Sequence, residues 1–270
     1  MMRIAVVPAV YNRPDMLAAL FEGYLAQSYR DFEIIIADDG SSGETREVIA
    51  RYQQRASFRI SHVWQENHGY RAATIRNQAV AQSDADYIVF TDQDCVPRPD
   101  FLANHARLAE RGWFVAGNRV LLDAAFTRRV LHDRLPIHAW RLGSWLVAWA
   151  KRDINRWAPL IALPDGDFRK RAPRRWEGVK TCNLAAWRDD LLRVNGLDEA
   201  YSGWGLEDSD LVIRLLHAGI RHKNGRFAAP VFHLWHAEND RSRLPENQRL
   251  LESLLRSDRA RAQSGVDQYA

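Results

Sequence analysis

Two acidic residues, Asp92 and Asp94, come directly after the apolar run at residues 87–91. A short apolar run of this length is typical of a buried strand. Two carboxylates one residue apart can bind one hard divalent cation, which in turn bridges a diphosphate. Polar turns often produce the same pattern without a metal. The position after a predicted buried strand nevertheless favours a metal site at Asp92 and Asp94.

A second acidic pair, Glu207 and Asp208, follows the turn Gly203-Trp204-Gly205 and begins a predicted helix. The helix dipole favours acidic residues in the first turn by roughly 0.3–1 kcal/mol each, which explains the pair without catalysis. The alternative is a general base, which contributes about 10²–10⁴ in rate. We favour the base, because an aromatic ring beside a carboxylate is common in sugar sites and glycines let the backbone approach closely.

Two histidines, His233 and His236, flank the apolar stretch at residues 231–235. An isolated histidine on such a stretch is usually a hydrogen-bonded core residue. Two of them three residues apart are a better candidate for metal ligation, because imidazole suits manganese as well as zinc. The residues alone leave both interpretations open.

Strand and helix signals alternate through the first part of the chain, which predicts an α/β fold with a mostly parallel sheet and helices on both faces. Such sheets bind ligands beyond the carboxyl ends of their strands. Tyr11, Asp39 and Asp92 all follow predicted strands, so we expect them at one edge of the sheet. Strands are predicted at residues 4–7, 32–37, 60–64, 87–91 and 231–235; helices are predicted from residue 14, at 44–54, 70–80, 137–161 and 207–216, and around 250–255.

The composition indicates a globular protein: of 270 residues, 46% are hydrophobic and 27% are charged. A net charge of +4 is too small to indicate nucleic-acid binding. Two cysteines form no disulfide framework and favour a reducing cytoplasm. The first residues turn polar too early for a signal peptide, and no run of about 18 apolar residues occurs. We therefore expect a cytoplasmic protein; its oligomeric state is not readable from the sequence.

The segment at residues 138–157 is rich in tryptophan and basic residues. It could lie on an anionic membrane at the inner membrane face, where a lipid-linked acceptor would be found. Alternatively, its tryptophans pack beneath the active-site lobe, the hypothesis that we favour slightly. The residues concerned are Trp140, Trp145, Trp149 and Trp157 among Arg141, Lys151, Arg152 and Arg156.

Taken together, these motifs resemble glycosyltransferase family two of the GT-A type. The matching blocks include Tyr11-Asn12-Arg13, residues 31–41 (DFEIIIADDGS), residues 67–71 (NHGYR) and Asp92-Gln93-Asp94. The second half is similar to the galactosyltransferase-type C-terminal module also seen in chondroitin-type polymerases, through residues 196–210 and 232–236. The resemblance covers roughly residues 3–118 and 176–236, and we identify none for residues 120–175.

The resemblance implies a GT-A fold with a C-terminal acceptor-side lobe. It divides the chain into a nucleotide-sugar-binding half at residues 1–118, an acceptor and catalytic-base half at residues 119–240, and a helical tail at residues 241–270. In the first half, the resemblance places Pro8, Tyr11 and Asp39 in a uridine pocket. Arg76 supports the donor, and Asp92 contacts the ribose and the metal side.

For the second half, the resemblance implies an inverting transfer assisted by Mn²⁺ or Mg²⁺. A hexose or N-acetylhexosamine would move from a UDP-sugar to a saccharide or lipid-linked saccharide acceptor, in surface polysaccharide or lipopolysaccharide synthesis. Asp208 is expected to be the base and Glu207 to hold substrate hydroxyls. The metal ligands implied are Asp94, His233 and His236.

The second half also departs from the family pattern. Trp204 is expected to flank the sugar, but Leu206 replaces the second glycine of the usual Gly-Trp-Gly-Gly and Ser209 replaces an acid. Both changes could alter which sugar fits.

Two other functions are compatible with an α/β sheet of this kind. A non-catalytic nucleotide-sugar-binding module would be marked by loss of the Asp92–Asp94 pair or of the base, and both are present. A nucleotidyltransferase usually carries a glycine-rich basic loop near its N-terminus, and residues 7–11 (VPAVY) form no such loop.

Overall fold

The computed structural model describes residues 2–269, which form an α/β fold with helices packed on a central sheet. The strands are β1 (Ile4–Val10), β2 (Phe32–Asp38), β3 (Ile60–Trp64), β4 (Tyr87–Asp92), β5 (Cys95–Pro97), β6 (Trp113–Ala116), β7 (Asn118–Leu121), β8 (Asn183–Trp187), β9 (Arg221–Asn224) and β10 (Pro230–His233). The α-helices are α1 (Pro14–Leu25), α2 (Gly43–Arg55), α3 (Ala72–Ala81), α4 (Phe101–Leu108), α5 (Ala124–His132), α6 (Leu142–Ala150), α7 (Arg188–Arg193), α8 (Glu207–His217) and α9 (Leu244–Leu255).

The central sheet confirms the predicted mostly parallel arrangement. Its order is β3-β2-β1-β4-β8-β6-β9, and β3, β2, β1 and β4 are parallel, whereas β8 runs antiparallel to both of its neighbours. The chain leaves β1 toward β2 on one side and later returns to β4 on the other. Ligands of open α/β sheets bind where the strand order switches in this way. The carboxyl ends of β1 and β4 therefore border the candidate site.

The first strands are stabilised by apolar side chains that pack on both faces of the sheet. Alternate residues of β1 enter two different core clusters: Ala5 and Val7 pack on one face of the sheet, and Ile4 and Val6 pack on the other. Helices cover both faces, so these strands read as continuous apolar runs rather than as alternating ones. This explains why the sequence located β1, β2 and β4 to within three residues.

A second, three-stranded sheet has the order β5-β10-β7. Strand β10 pairs antiparallel with β5, and their register places His233 opposite Cys95. The histidine is thereby placed beside the acidic residues that follow β4. The sequence did not predict β5, β6, β7 or β9, because strands of three or four residues are too short to show a periodic pattern.

The helix predictions miss α4 and α5, place the last helix around residues 250–255 although α9 begins at Leu244, and differ from the structure in two further places. Helix α3 begins at Ala72 rather than at residue 70, and the helical region predicted at residues 137–161 contains α6 with short 3₁₀ turns on either side. Between residues 2 and 269, no helix combines the length and the apolar character needed to cross a bilayer.

Asn77 on α3 joins the two halves of the chain. Its side-chain amide donates to the carbonyl of Leu197 at 2.9 Å, and the Leu197 amide donates to Asn77 Oδ1 at 2.9 Å. The neighbouring Gly196 has a φ of +64°, and a Cβ there would lie 2.3 Å from Asn77 Oδ1. The close contact therefore requires glycine at residue 196.

We expect Gly196→Ala to lower the free energy of unfolding by about 2–4 kcal/mol, because the left-handed backbone and the contact with Asn77 both oppose a Cβ. The matched control is Gly219→Ala, which has a φ of +85° but no atom within 4 Å of the added Cβ. That variant should lose only the backbone cost of about 1–2 kcal/mol. Urea denaturation compares the two, and equal losses would contradict the role of the Asn77 contact.

Candidate active site

The uridine-pocket candidates lie at the ends of β1 and β2. Asp39 is buried, and its two carboxylate oxygens accept hydrogen bonds from Gln65 Nε2 at 2.6 Å and from the Arg71 amide at 2.7 Å. Burial raises the pKa of Asp39 above its usual value, although both hydrogen bonds oppose the rise. Pro8 is buried within β1, whereas Tyr11 is exposed just beyond it. An aromatic face is thus open to a ligand beside a fixed carboxylate.

Arg76 lies at the centre of the acidic residues. Its side chain is 1% exposed and donates to Asp92 from Nη2, while Nε and Nη1 are buried without a hydrogen-bond partner among the described residues. Burial disfavours the charge of Arg76, but Asp92 above all, and also Glu207 and Asp208, raise its pKa. A buried guanidinium of this kind provides a fixed positive charge that can attract a phosphate or carboxylate.

The structure brings Asp94, His233 and His236 together at the junction of the two sheets. Asp94 Oδ2 lies 3.6 Å from His233 Nε2 and 3.0 Å from His236 Nε2, and one ligand atom from each residue falls within 4.8 Å of the others. The backbone register of β5 and β10 produces this cluster, since Asp94 precedes β5 and His233 ends β10. The acidic strand end and the two histidines that the sequence indicated as metal ligands therefore lie next to one another.

The donor atoms of this cluster fit a hard or borderline divalent cation. His236 Nδ1 donates to the carbonyl of Ala237 at 2.7 Å, and the hydrogen bond with Asp94 raises the pKa of His236 above its usual value. A bound divalent cation would replace the proton shared by His236 Nε2 and Asp94, whose facing atoms lie 3.0 Å apart. Burial opposes ionisation of Asp94, but His233 and His236 lower its pKa, so the carboxylate is charged and ready to bind. One oxygen and two imidazole nitrogens suit manganese.

A second group of metal-binding side chains lies alongside the first. Asp92, Cys95 and Cys182 also bring one ligand atom each within 4.8 Å of one another, and both cysteines are buried with free thiols. Thiolates favour soft cations, whereas a cation that bridges phosphates is hard. The sequence gave no indication of this group, because Cys182 lies on the loop before β8, far along the chain from β5.

The candidate base, Asp208, lies in the first turn of α8. Its carboxylate is buried and lies 3.3 Å from Lys180 Nζ, and it accepts the amide of Ser209 at 2.7 Å. Lys180 carries no motif that sequence reasoning could have used. Asp208 is thus held at the start of α8 with one oxygen close to a lysine, and a carboxylate at this position can accept a proton.

Glu207, the other acidic residue of the turn, differs from Asp208 in its surroundings. It is buried, and its Oε2 has no hydrogen-bond partner among the described residues. Burial, followed by the charge of Asp208, raises the pKa of Glu207 from its usual 4.5 to about 7. A carboxyl with an unused oxygen is suited to hold a substrate hydroxyl.

We expect the stability of the protein to fall as pH rises between about 4.5 and about 7, in part because of Glu207. Below pH 4.5, Glu207 is protonated in both the folded and the unfolded protein, so it does not lower the free energy of unfolding. Above pH 4.5, the unfolded chain releases this proton more readily than the folded protein does. Glu207→Gln should remove a pH-dependent cost of at most about 3 kcal/mol. Urea unfolding across this range measures the effect. Glu252→Gln, at an exposed position of α9, is the control, and parallel pH profiles for wild type and Glu207→Gln would contradict the assignment.

Trp204 lies half-buried in the glycine turn before α8, and Gly203 donates to the carbonyl of Tyr70 at 3.3 Å. The guanidinium of Arg241 lies 4.9 Å from the centre of the Trp204 ring. Leu206, in place of the usual glycine, has a φ of +77° and precedes α8. The hydrogen bond to Tyr70 therefore holds this turn against the loop whose next residue, Arg71, donates to Asp39.

Several of the predicted site residues therefore lie near one another. Arg76 donates a hydrogen bond to Asp92, Asp94 lies within 3.6 Å of both histidines, and the charges of Glu207 and Asp208 raise the pKa of Arg76. Tyr11 is joined to the same edge, because its amide donates to Gln93 Oε1 at 3.0 Å. Sequence reasoning missed Lys180 and Cys182, which no local motif marks.

Two family models match the chain. The model described as glycosyl transferase family 2 matches residues 5–169, and the model described as N-terminal domain of galactosyltransferase matches residues 168–237. These matches confirm both parts of the predicted resemblance. The two matched regions meet near residue 168, which lies before β8.

Two curated relatives illustrate the similarity. Validoxylamine A glucosyltransferase of Streptomyces hygroscopicus subsp. jinggangensis is 31% identical over 230 residues, which are 80% of this chain and 52% of that protein. Chondroitin synthase of Escherichia coli is 24% identical over 237 residues, which are 80% of this chain and 32% of that protein. The chain thus spans about half the length of the first relative and a third of the second.

Two solved structures share the fold. The mannosyltransferase PcManGT from Pyrobaculum calidifontis, in complex with GDP-Man and Mn²⁺, has a TM-score of 0.65 and 16% identity, and the match covers 95% of this chain and 65% of that one. S. aureus TarS 1–349, in complex with UDP-GlcNAc, has a TM-score of 0.62 and 14% identity, and the match covers 99% and 69%. The predicted GT-A fold is confirmed.

Proposed function

The chain belongs to glycosyl transferase family 2, and from this we propose that it is a metal-dependent, inverting glycosyltransferase. It moves a hexose or N-acetylhexosamine from a UDP-sugar to a saccharide or lipid-linked saccharide acceptor. The observation that carries the proposal is the group formed by buried Arg76, Glu207 and Asp208 and half-buried Asp92 beside the Asp94–histidine cluster.

The donor site comprises the ends of β1, β2 and β4. Asp39 contacts the uracil ring through the edge of its carboxyl group, and Pro8 and Tyr11 complete the pocket around the base. Arg76 supports the phosphate side through its unused Nε and Nη1 donors, and Asp92 contacts the ribose. The complex of TarS with UDP-GlcNAc supports the choice of a uridine donor on this fold.

A divalent cation, Mn²⁺ or Mg²⁺, is held by Asp94, His236 and His233. When bound, it supplies Lewis-acid stabilisation of the negative charge that develops on the leaving diphosphate. The Mn²⁺ complex of PcManGT supports this assignment, and the oxygen and nitrogen donors of the cluster fit such an ion.

The transfer takes place in one displacement. Asp208 accepts the proton of an acceptor hydroxyl as its oxygen bonds to the anomeric carbon, and the bond from that carbon to the diphosphate oxygen breaks. The acceptor attacks from the face opposite the leaving group, so the configuration inverts. Glu207 holds a hydroxyl of donor or acceptor, Trp204 packs against the sugar ring, and Lys180 positions the Asp208 carboxylate through their ion pair.

A screen of UDP-sugars for UDP release tests the proposal. We expect slow release from one UDP-hexose or UDP-N-acetylhexosamine in the presence of Mn²⁺ without acceptor, and faster release with oligosaccharide acceptors. Tight binding of a UDP-sugar without release under any condition would support instead a non-catalytic nucleotide-sugar-binding module.

One of the relatives supports the choice of acceptor class. The similarity to chondroitin synthase supports a saccharide acceptor, and with it a role in surface polysaccharide or lipopolysaccharide synthesis. Oligosaccharides and lipid-linked saccharides, tested separately with the same donor, distinguish the two acceptor classes.

A further inference from the structure

Helix α6 exposes an apolar surface with no polar face. Of its nine residues, only Trp145 and Ala148 are buried, while Leu142, Leu146, Val147 and Trp149 are exposed. We call these four residues the α6 face; Val147 is 55% exposed and Trp149 is 46% exposed. A helix that is apolar on all sides normally lies inside a protein or in lipid. We therefore expect another molecule to cover the outward side of α6.

Basic residues border the α6 face at both ends. Arg141 precedes the helix and Lys151 and Arg152 follow it, and all three are exposed. Their side chains form no ion pair and donate no hydrogen bond within residues 2–269. Residues 134–152 contain no acidic side chain. The surface thus combines exposed apolar groups with unpaired positive charge.

Three acidic residues lie close to α6. Asp100 pairs with Arg98 at 3.3 Å and Asp153 pairs with Arg129 at 3.0 Å, whereas Asp123 accepts the amide of Phe126 and lines the same pocket as Arg152. Arg141, Lys151 and Arg152 therefore outnumber the one acidic residue of these three that is not in an ion pair. The remaining positive charge is matched by the molecule that covers α6.

We propose that the α6 face binds the surface of an anionic phospholipid bilayer. The helix lies in the plane of the interface: its apolar side chains enter the boundary between headgroups and acyl chains, and Arg141, Lys151 and Arg152 contact the anionic headgroups. Tryptophan is favoured at that depth, which suits Trp149. A second copy of this chain fits less well, because a two-fold contact would bring two basic borders together.

The buried side of α6 connects this surface to the candidate active site. Trp145 stacks on Phe232 with ring centres 4.0 Å apart, and Phe232 precedes His233 on β10. A bilayer bound to α6 would thus lie one layer of side chains away from the strand that carries candidate metal ligands. The docking itself does not rest on the proposed transfer, because lipid binding is measured without substrate.

Co-sedimentation with vesicles tests the proposal. The purified chain should bind vesicles of equal parts phosphatidylglycerol and phosphatidylcholine at low salt, bind less as salt rises, and not bind phosphatidylcholine alone. The double variant Leu146→Glu with Val147→Glu and the double variant Lys151→Glu with Arg152→Glu should each weaken binding at least about tenfold. Leu255→Glu, an exposed apolar position on α9, should bind like the wild type.

Three results would overturn the proposal. These are absence of binding to anionic vesicles at low salt, wild-type binding by both double variants, and a wild-type dimer that the Leu146→Glu with Val147→Glu variant loses in analytical ultracentrifugation. Thermal unfolding and UDP affinity, measured for every variant, show that the fold and the donor site are retained. Failure of vesicle binding with intact UDP affinity would remove the docking surface and leave the proposed function untouched.

Discussion

The variant Asp208→Asn is expected to turn over the UDP-sugar at least about a hundredfold more slowly than the wild type, while UDP affinity stays within about threefold. The amide has nearly the same shape as the carboxylate but cannot accept the proton of the acceptor hydroxyl. The interaction is needed only as the bond forms, so kcat falls and the donor still binds. Steady-state UDP release and calorimetric UDP binding measure the two quantities.

The matched control for Asp208→Asn is Asp189→Asn. Asp189 occupies the first turn of α7 as Asp208 occupies that of α8, but its side chain is 74% exposed. Both variants remove an acidic residue and its ion pair from the first turn of a helix, Asp208 with Lys180 and Asp189 with Arg111, and only Asp208 is the proposed base. Full activity of Asp208→Asn would exclude Asp208 as the base and direct attention to Glu207.

Replacing Asp94 with alanine is expected to reduce metal-dependent turnover by about a hundredfold or more, because stabilisation of the leaving diphosphate by a cation is worth several kcal/mol. Chelation of the wild type should have a similar effect. Calorimetry should show that Mn²⁺ strengthens UDP binding to the wild type and leaves the affinity of Asp94→Ala unchanged. Equal UDP affinity of the wild type with and without Mn²⁺ would contradict the metal assignment.

Cys182→Ala is the discriminating control for the metal prediction. Asp92, Cys95 and Cys182 form the neighbouring group of ligand atoms, and a cation bound there would depend on the thiol of Cys182. We expect this variant to retain most of its activity with Mn²⁺, because an oxygen and nitrogen site holds the hard cation and a thiol does not contribute. If Cys182→Ala lost Mn²⁺ binding and Asp94→Ala retained it, the cation would be assigned to the group of Asp92, Cys95 and Cys182.

The sequence by itself determined the α/β class and the strand ends that carry the candidate site. The continuous apolar runs of β1, β2 and β4 identify strands buried on both faces, and parallel strands place their carboxyl ends at one edge. Tyr11, Asp39 and Asp92 could therefore be grouped before any coordinates. Residue types and spacing also identified Glu207, Asp208 and the histidines as candidates. The residues alone left the metal role of His233 and His236 open, and the resemblance implied it.

Only the tertiary structure decided which of these residues meet. The register of β10 against β5 places His233 beside Asp94. The sequence indicates the apolar run of β10 but gives no sign of β5, the three-residue strand that pairs with it. Lys180 reaches Asp208 across 28 residues, and Arg76 lies among carboxylates from both halves of the chain. The physical reason is that local sequence patterns report burial and backbone conformation. Contacts between distant segments depend instead on hydrogen-bond register and side-chain packing, which arise only when the whole chain has folded.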